Sequence, residues 1–195
     1  MGQNQGSPSS GQLINIPSLS KDLLDKLAHQ THYDKKEIKQ LHTQFYSEVP
    51  NGAIPKEDFC QLTELMGIKD PFITSLVFNA FDRNCDSSIS FDEFLISMSI
   101  MTRGNADEKL EFAFKLYDLN HDGYILKSEM TRIVTALYQM LGDLLTLQGD
   151  FDKPSKLVDK IFEEMDTNRD GKLTFEEYKI GAKKCPEIVN GLALF

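Results

Sequence analysis

The sequence predicts an all-α protein built from a repeated helix–loop–helix unit, and two observations carry that prediction. Three segments align without a gap: Phe81-Asp-Arg-Asn-Cys-Asp-Ser-Ser-Ile-Ser-Phe-Asp-Glu-Phe94, Tyr117-Asp-Leu-Asn-His-Asp-Gly-Tyr-Ile-Leu-Lys-Ser-Glu-Met130 and Met165-Asp-Thr-Asn-Arg-Asp-Gly-Lys-Leu-Thr-Phe-Glu-Glu-Tyr178. Each sets Asp, Asn, Asp and Glu in register, which is the mark of an internal repeat. Between them run segments with apolar residues on one helical face, as at Ile38, Leu41 and Phe45.

In chain order, residues 1–20 are rich in Gly, Ser, Gln, Asn and Pro and read as a flexible arm. Ser20 is placed to cap a helix carrying Leu23, Leu24 and Leu27. Asp34 with Glu37 three residues later predicts a capping box opening the next helix. Gly104, followed by Asn105 as a cap with Glu108, marks the seam between two halves. The expected organisation is therefore an arm (1–20), a first pair of units (21–103), a second pair (104–185) and a tail (186–195). The loop starts at 82, 118 and 166 leave a longer connection before the last repeat, with Asp150 to Pro154 expected as its loop. Pro186 to Phe195 reads as a proline-initiated helix with Ile188, Val189, Leu192, Leu194 and Phe195 on an apolar side. Such a helix could plug a groove or pack permanently on the last unit.

A chain of 195 residues with net charge −9 and pI near 4.9 lacks the basic surface that nucleic acid requires. Cys60, Cys85 and Cys185 form no CxxC pair, so neither a disulfide framework nor a zinc knuckle is expected. Cys60 and Cys185 fit a core or its margin, and Cys85 an exposed polar loop. His29, His32, His42 and His121 make no catalytic or metal signature with them, so no enzyme is predicted. No apolar stretch approaches the ~20 residues of a membrane helix, and residues 1–20 lack the regions of a secretory leader. A cytoplasmic setting is expected.

The repeated oxygens have a chemical logic. Ca²⁺ takes six to eight oxygen ligands, and a twelve-residue loop supplies them from positions 1, 3, 5, 7, 9 and 12. Position 1 is Asp82, Asp118 or Asp166; position 3 is Asn84, Asn120 or Asn168; position 5 is Asp86, Asp122 or Asp170. Position 7 lends a backbone carbonyl, from Ser88, Tyr124 or Lys172, and position 12 is a glutamate long enough to bind bidentately: Glu93, Glu129 or Glu177. Polar residues populate turns anyway, but three loops with this spacing and an apolar position 8 (Ile89, Ile125, Leu173) specify EF-hands holding up to three Ca²⁺ ions.

The loops are not equivalent. Position 6 needs a sharp turn, met by Gly123 and Gly171 but by Ser87 in the loop at Asp82. Leu126 replaces a polar residue at position 9 of the next loop. An earlier segment, Ser47 to Asp58, keeps Gly52 and Ile54 but has Val49 at position 3, a rigid Pro50, and Asp58 in place of the glutamate. It is expected to be a metal-free partner of the loop at Asp82.

Beyond the ligands, the chain resembles the neuronal calcium sensor family, most of all its frequenin-like members, from about Leu23 onward. The resemblance rests on Met1-Gly2, Val49-Pro50-Asn51-Gly52, Thr102-Arg103-Gly104, Glu108-Lys109-Leu110 with Ala113 to Asp118, Met165 to Leu173, and Pro186-Glu187-Ile188-Val189. It implies four EF-hands arranged as two pairs in one compact array. It further implies an apolar groove exposed by calcium that receives an amphipathic helix of a target protein of the lipid-kinase, receptor-kinase, cyclase or channel type. Groove candidates are Leu41, Phe45, Phe59, Phe78, Phe81, Phe94, Leu95 and Met98, each of which also suits a core. Family members carry a myristoyl group, so Gly2 is a candidate for lipidation and reversible membrane contact, although Gly6 stands where the motif wants Ser or Thr and Ser7 comes one place late. A calcium buffer and a calcineurin B-like regulatory subunit are the competing readings, and the Val49-Pro50 loop disfavours the second.

Overall fold

The computed structural model describes residues 16–65, 67–141 and 153–184. Helix α1 (Lys21–Gln30) is capped by Ser20, whose side chain accepts the Leu23 N–H, and α2 (Lys35–Glu48) opens on the capping box of Asp34 and Glu37. Strand β1 (Ala53–Pro55) and α3 (Lys56–Leu65) follow. Helix α4 (Pro71–Phe81) starts at the Asp70 cap with proline in its first turn, where a missing N–H costs nothing. Strand β2 (Ser88–Ser90) leads into α5 (Phe91–Arg103). The second half repeats the plan with α6 (Ala106–Tyr117), β3 (Tyr124–Leu126), α7 (Lys127–Leu141), α8 (Pro154–Met165), β4 (Lys172–Thr174) and α9 (Phe175–Lys184). The all-α class holds, and Asn105 with Glu108 closes the expected capping box of α6.

Two features differ from the sequence expectation. Pro154 is the first residue of α8 rather than the end of a loop, because a proline at the first helical position keeps all its ring demands satisfied. The short strands were not foreseen. Each arises where loop positions 7 to 9 run extended, and they pair antiparallel across units: Ile54 faces Ile89 and Ile125 faces Leu173. Ile89, Ile125 and Leu173 are fully buried, each worth about 1.5–3 kcal/mol relative to exposure. The degenerate loop thus does pair with the loop at Asp82.

Packing divides into two apolar clusters. One joins Leu27, Ile38, Phe45, Phe78, Phe81, Ile89 and Leu95 with their neighbours; the other joins Ile125, Met130, Ile133, Ile161, Met165 and Leu173. Helix α4 serves both. Its Phe78 and Phe81 belong to the first cluster, Ile73 and Leu76 to the second, and Val77 packs against each. The halves that Gly104 separates in sequence are therefore joined through α4. The proposed arm up to residue 15, the connection at 142–152 and the tail helix from Cys185 lie outside the described residues.

Candidate functional site

Each of the three loops begins where a helix ends. The N–H groups of Asp82, Asp118 and Asp166 close the last turns of α4, α6 and α8 on Phe78, Phe114 and Phe162, which fixes the position-1 carboxylate at the loop mouth. That carboxylate then accepts two backbone N–H groups of the loop. Asp82 takes those of Asp86 (3.1 Å) and Ser87 (2.9 Å); Asp118 takes Asp122 (3.1 Å) and Gly123 (2.9 Å); Asp166 takes Asp170 (3.2 Å) and Gly171 (2.9 Å). The position-3 amide ties back in the same way in all three, with Asn84, Asn120 and Asn168 donating to Asp86, Asp122 and Asp170. The three copies of the repeat thus reach one backbone geometry.

That geometry asks for left-handed backbone twice. Position 6 has φ of 68° at Ser87, 85° at Gly123 and 82° at Gly171, as the glycines predict. Position 4 has φ of 59°, 57° and 59° at Cys85, His121 and Arg169, and no glycine announced it. Cys85 and His121 are exposed, as the polar loop implied for Cys85.

The position-12 glutamates reach across the loop. Glu93 accepts the N–H groups of Arg83 (3.0 Å), Asn84 (3.1 Å) and Ser90 (3.0 Å) and the Ser90 hydroxyl (2.7 Å). Glu177 accepts the Thr174 N–H and hydroxyl (3.1 and 2.8 Å) and the Thr167 hydroxyl (2.9 Å); the Thr174 N–H, first among these, holds its carboxyl below the usual range. Glu129 receives the Leu126 N–H at 2.8 Å, but Leu126 has no hydroxyl to add. The Ser88 and Asn84 side chains likewise hold Asp86 low. Ser90, Thr174 and Thr167 are thus supporting residues absent from the predicted ligand set. Position 9 marked the first two; nothing in the repeat marked Thr167.

Burial separates the loops. Asp82 and Glu93 are 7% and 5% exposed, and Asp118 and Glu129 are 6% and 8%. Asp166 and Glu177 stay half-exposed. None of the four buried carboxylates has a Lys or Arg partner among the described residues. Among those residues, no three His, Cys, Asp or Glu side chains already converge on one point, since loop N–H groups hold the carboxylates. The donor chemistry nonetheless suits a hard cation: oxygens only, with two like charges buried in each of the loops at Asp82 and Asp118 that a divalent ion would neutralise.

The segment at Ser47 differs at its first position. The Ser47 hydroxyl donates to the Gln44 carbonyl within α2 (2.6 Å), and Asp58 is exposed. Gly52, at φ 82°, lies where a Cβ would come within 3.0 Å of the Tyr46 ring. The groove candidates gather in the first cluster as packing residues. Phe78 and Leu95 are fully buried and Phe45 and Phe81 nearly so, while Leu41, Phe59, Phe94 and Met98 are half-buried. Helix α3 also exposes the apolar side chains of Leu62 and Leu65.

Comparison with known proteins follows this geometry. An EF-hand domain-pair model matches residues 107–183, and a USP32 N-terminal domain model matches residues 28–123. The chain is 41% identical over 179 residues to calcium-binding protein NCSA of Dictyostelium discoideum, covering 92% of this chain and 96% of that protein. It is 42% identical over 178 residues to neuronal calcium sensor 1 of Lymnaea stagnalis, covering 90% and 93%. The chain belongs to the neuronal calcium sensor family. As a neuronal calcium sensor it is a calcium sensor of the EF-hand type and not an enzyme. No described helix of this sensor is long and apolar enough to cross a membrane.

Proposed function

We propose that this sensor holds three Ca²⁺ ions, one in each loop at Asp82, Asp118 and Asp166. The ligands are the side chains at positions 1, 3, 5 and 12 and the carbonyls of Ser88, Tyr124 and Lys172. The loop at Ser47 stays metal-free. Paired carboxylates buried without a cationic side chain at Asp82–Glu93 and Asp118–Glu129 carry this for two loops, and the loop at Asp166 repeats their backbone geometry. Burying an unpaired charge costs several kcal/mol, so the fold anticipates a cation at each.

Calcium acts by repositioning the glutamates, each of which lies in the first turn of the helix after its loop, so ligation pulls that helix away from its partner. The half-buried Leu41, Phe59, Phe94 and Met98 then open to an amphipathic helix of a target protein of the lipid-kinase, receptor-kinase, cyclase or channel type. The sensor works in the cytoplasm and meets membranes reversibly through a myristoyl chain on Gly2, since one acyl chain alone anchors weakly.

Titration calorimetry is expected to give three ions for the wild type and two for Glu129→Gln; a fourth ion, or an unchanged count in the variant, contradicts the assignment. Calcium is expected to raise binding of an apolar reporter dye. No change at saturating calcium would favour a buffer, whose EF-hands barely open. Intact mass after coexpression with an N-myristoyltransferase tests Gly2.

A further inference from the structure

Ion pairs outside the calcium loops repeat one placement in the two halves. In the second half, Asp107 lies in the first turn of α6, the helix that opens the pair. Its carboxylate holds Lys179 (3.0 Å) and Lys183 of α9, the helix that closes the pair. Those lysines stand four residues apart, so one carboxylate grips two successive turns of one helix face. In the first half, Glu37 in the first turn of α2 faces Arg103, the last residue of α5. Arg103 Nη1 donates to Glu37 Oε2 at 3.1 Å and Nη2 to Glu37 Oε1 at 2.7 Å, a bidentate pair. The same guanidinium donates to the His32 carbonyl at 3.1 Å and lies 4.3 Å from the centre of the Tyr33 ring. Glu108, next to Asp107, meets His32 Nε2 of the other half at 2.8 Å.

An isolated exposed ion pair contributes little, but a bidentate arginine and a carboxylate shared by two lysines are the geometries in which such pairs count. The helices they hold are the ones that calcium is to move. Glu93 and Glu177 sit in the first turns of α5 and α9, whereas Arg103 and Lys183 sit in the last turns of the same helices. Near its loop, α9 rests on α6 through rings, with Phe114 5.3 Å from Phe175 and 5.8 Å from Tyr178. A swing of α9 away from α6 therefore parts Asp107 from both lysines. We infer that the two clamps, Asp107 with Lys179 and Lys183 and Glu37 with Arg103, are autoinhibitory contacts that keep each half closed until calcium ligation breaks them. They thereby set the calcium level at which each half opens. This rests on the calcium-driven opening proposed above. Removing a clamp brings the open form nearer in free energy, and so raises the apparent calcium affinity without altering a ligand.

Calcium titration of the full-length protein in the presence of an apolar reporter dye tests the clamps. Asp107→Asn leaves the Asn105 cap of α6 in place, because that cap accepts backbone N–H groups. Glu37→Gln keeps a residue that closes the capping box of α2. Each variant is expected to lower the half-maximal calcium about two- to fivefold, and the double variant to lower it further. Asp107→Lys combined with Lys179→Asp and Lys183→Asp is expected to return the midpoint toward the wild type, which a merely destabilised fold would not do. High salt is expected to shrink the gap between wild type and double variant. Midpoints that coincide in wild type and variants, while the wild type responds to calcium, overturn the clamps alone. A wild type whose dye signal ignores calcium overturns the opening itself and the clamps' role with it.

Discussion

Ser87 places a side chain at a left-handed turn of the loop at Asp82. It holds φ of 68° where Gly123 and Gly171 hold the same turn without a Cβ, at a cost of roughly 1–2 kcal/mol. Ser87→Gly is expected to tighten the loop at Asp82 by about fivefold or more, as read by calorimetry; unchanged affinity would show that the turn carries no strain. The serine was legible because the repeat aligned it with two glycines. The left-handed Cys85, His121 and Arg169 were not, since no residue type common to them signals that backbone. His42 gives a second residue-scale prediction. It is 6% exposed, with the rings of Tyr46 and Phe91 4.6 and 4.9 Å away, and burial pushes its imidazole below the usual range. The unfolded chain takes up that proton more readily, so stability is expected to fall as pH drops below about 6.5 toward the lowered folded value. Urea midpoints across this range test it, and His42→Phe should flatten the His42 contribution. The sequence showed His42 only as a histidine without a catalytic partner, because periodicity does not say which polar residue a helix turns inward.

Elements meet more closely than their patterns announce. Gly181 lies inside α9, where a Cβ would approach Met165 Cγ to 2.3 Å and Sδ to 2.9 Å. Met165 is fully buried and immediately precedes Asp166, where the last loop begins. Gly181→Ala is expected to destabilise the protein by about 1–3 kcal/mol through overpacking, and a thermal melt checks it; Met165→Ala in the same chain should recover part of the loss. A glycine inside a helix is a usable signal of close packing, but its partner is visible only once α8 and α9 are crossed. The helix caps lie at the other extreme. Ser20, Asp34 and Asn105 act within three residues of themselves, so local sequence was enough to find them. The pairing of β1 with β2 required the same spacing in two separate units.

For the whole molecule, α4 is the decisive element, because it contributes to both apolar clusters. Ile73→Ala, at 1% exposure, is expected to cost about 2–5 kcal/mol and to lower both halves together in one unfolding transition; two separate transitions by calorimetry would show that α4 does not couple them. Sequence placed the seam at Gly104 and gave no hint of this sharing, since an amphipathic pattern shows that a face is buried but not against which neighbour. The groove candidates show the same limit: they were recognised as apolar, yet only packing separates fully buried Phe78 and Leu95 from half-buried Phe94 and Met98. The amino-acid sequence by itself determined the repeat, the caps and the spacing of the loop oxygens, because each depends on residues a few positions apart. Tertiary structure alone decided the burial of Asp82, Glu93, Asp118 and Glu129, the sharing of α4 and the contact of His32 with Glu108. Those depend on groups far apart in the chain, whose meeting is set by how the helices pack.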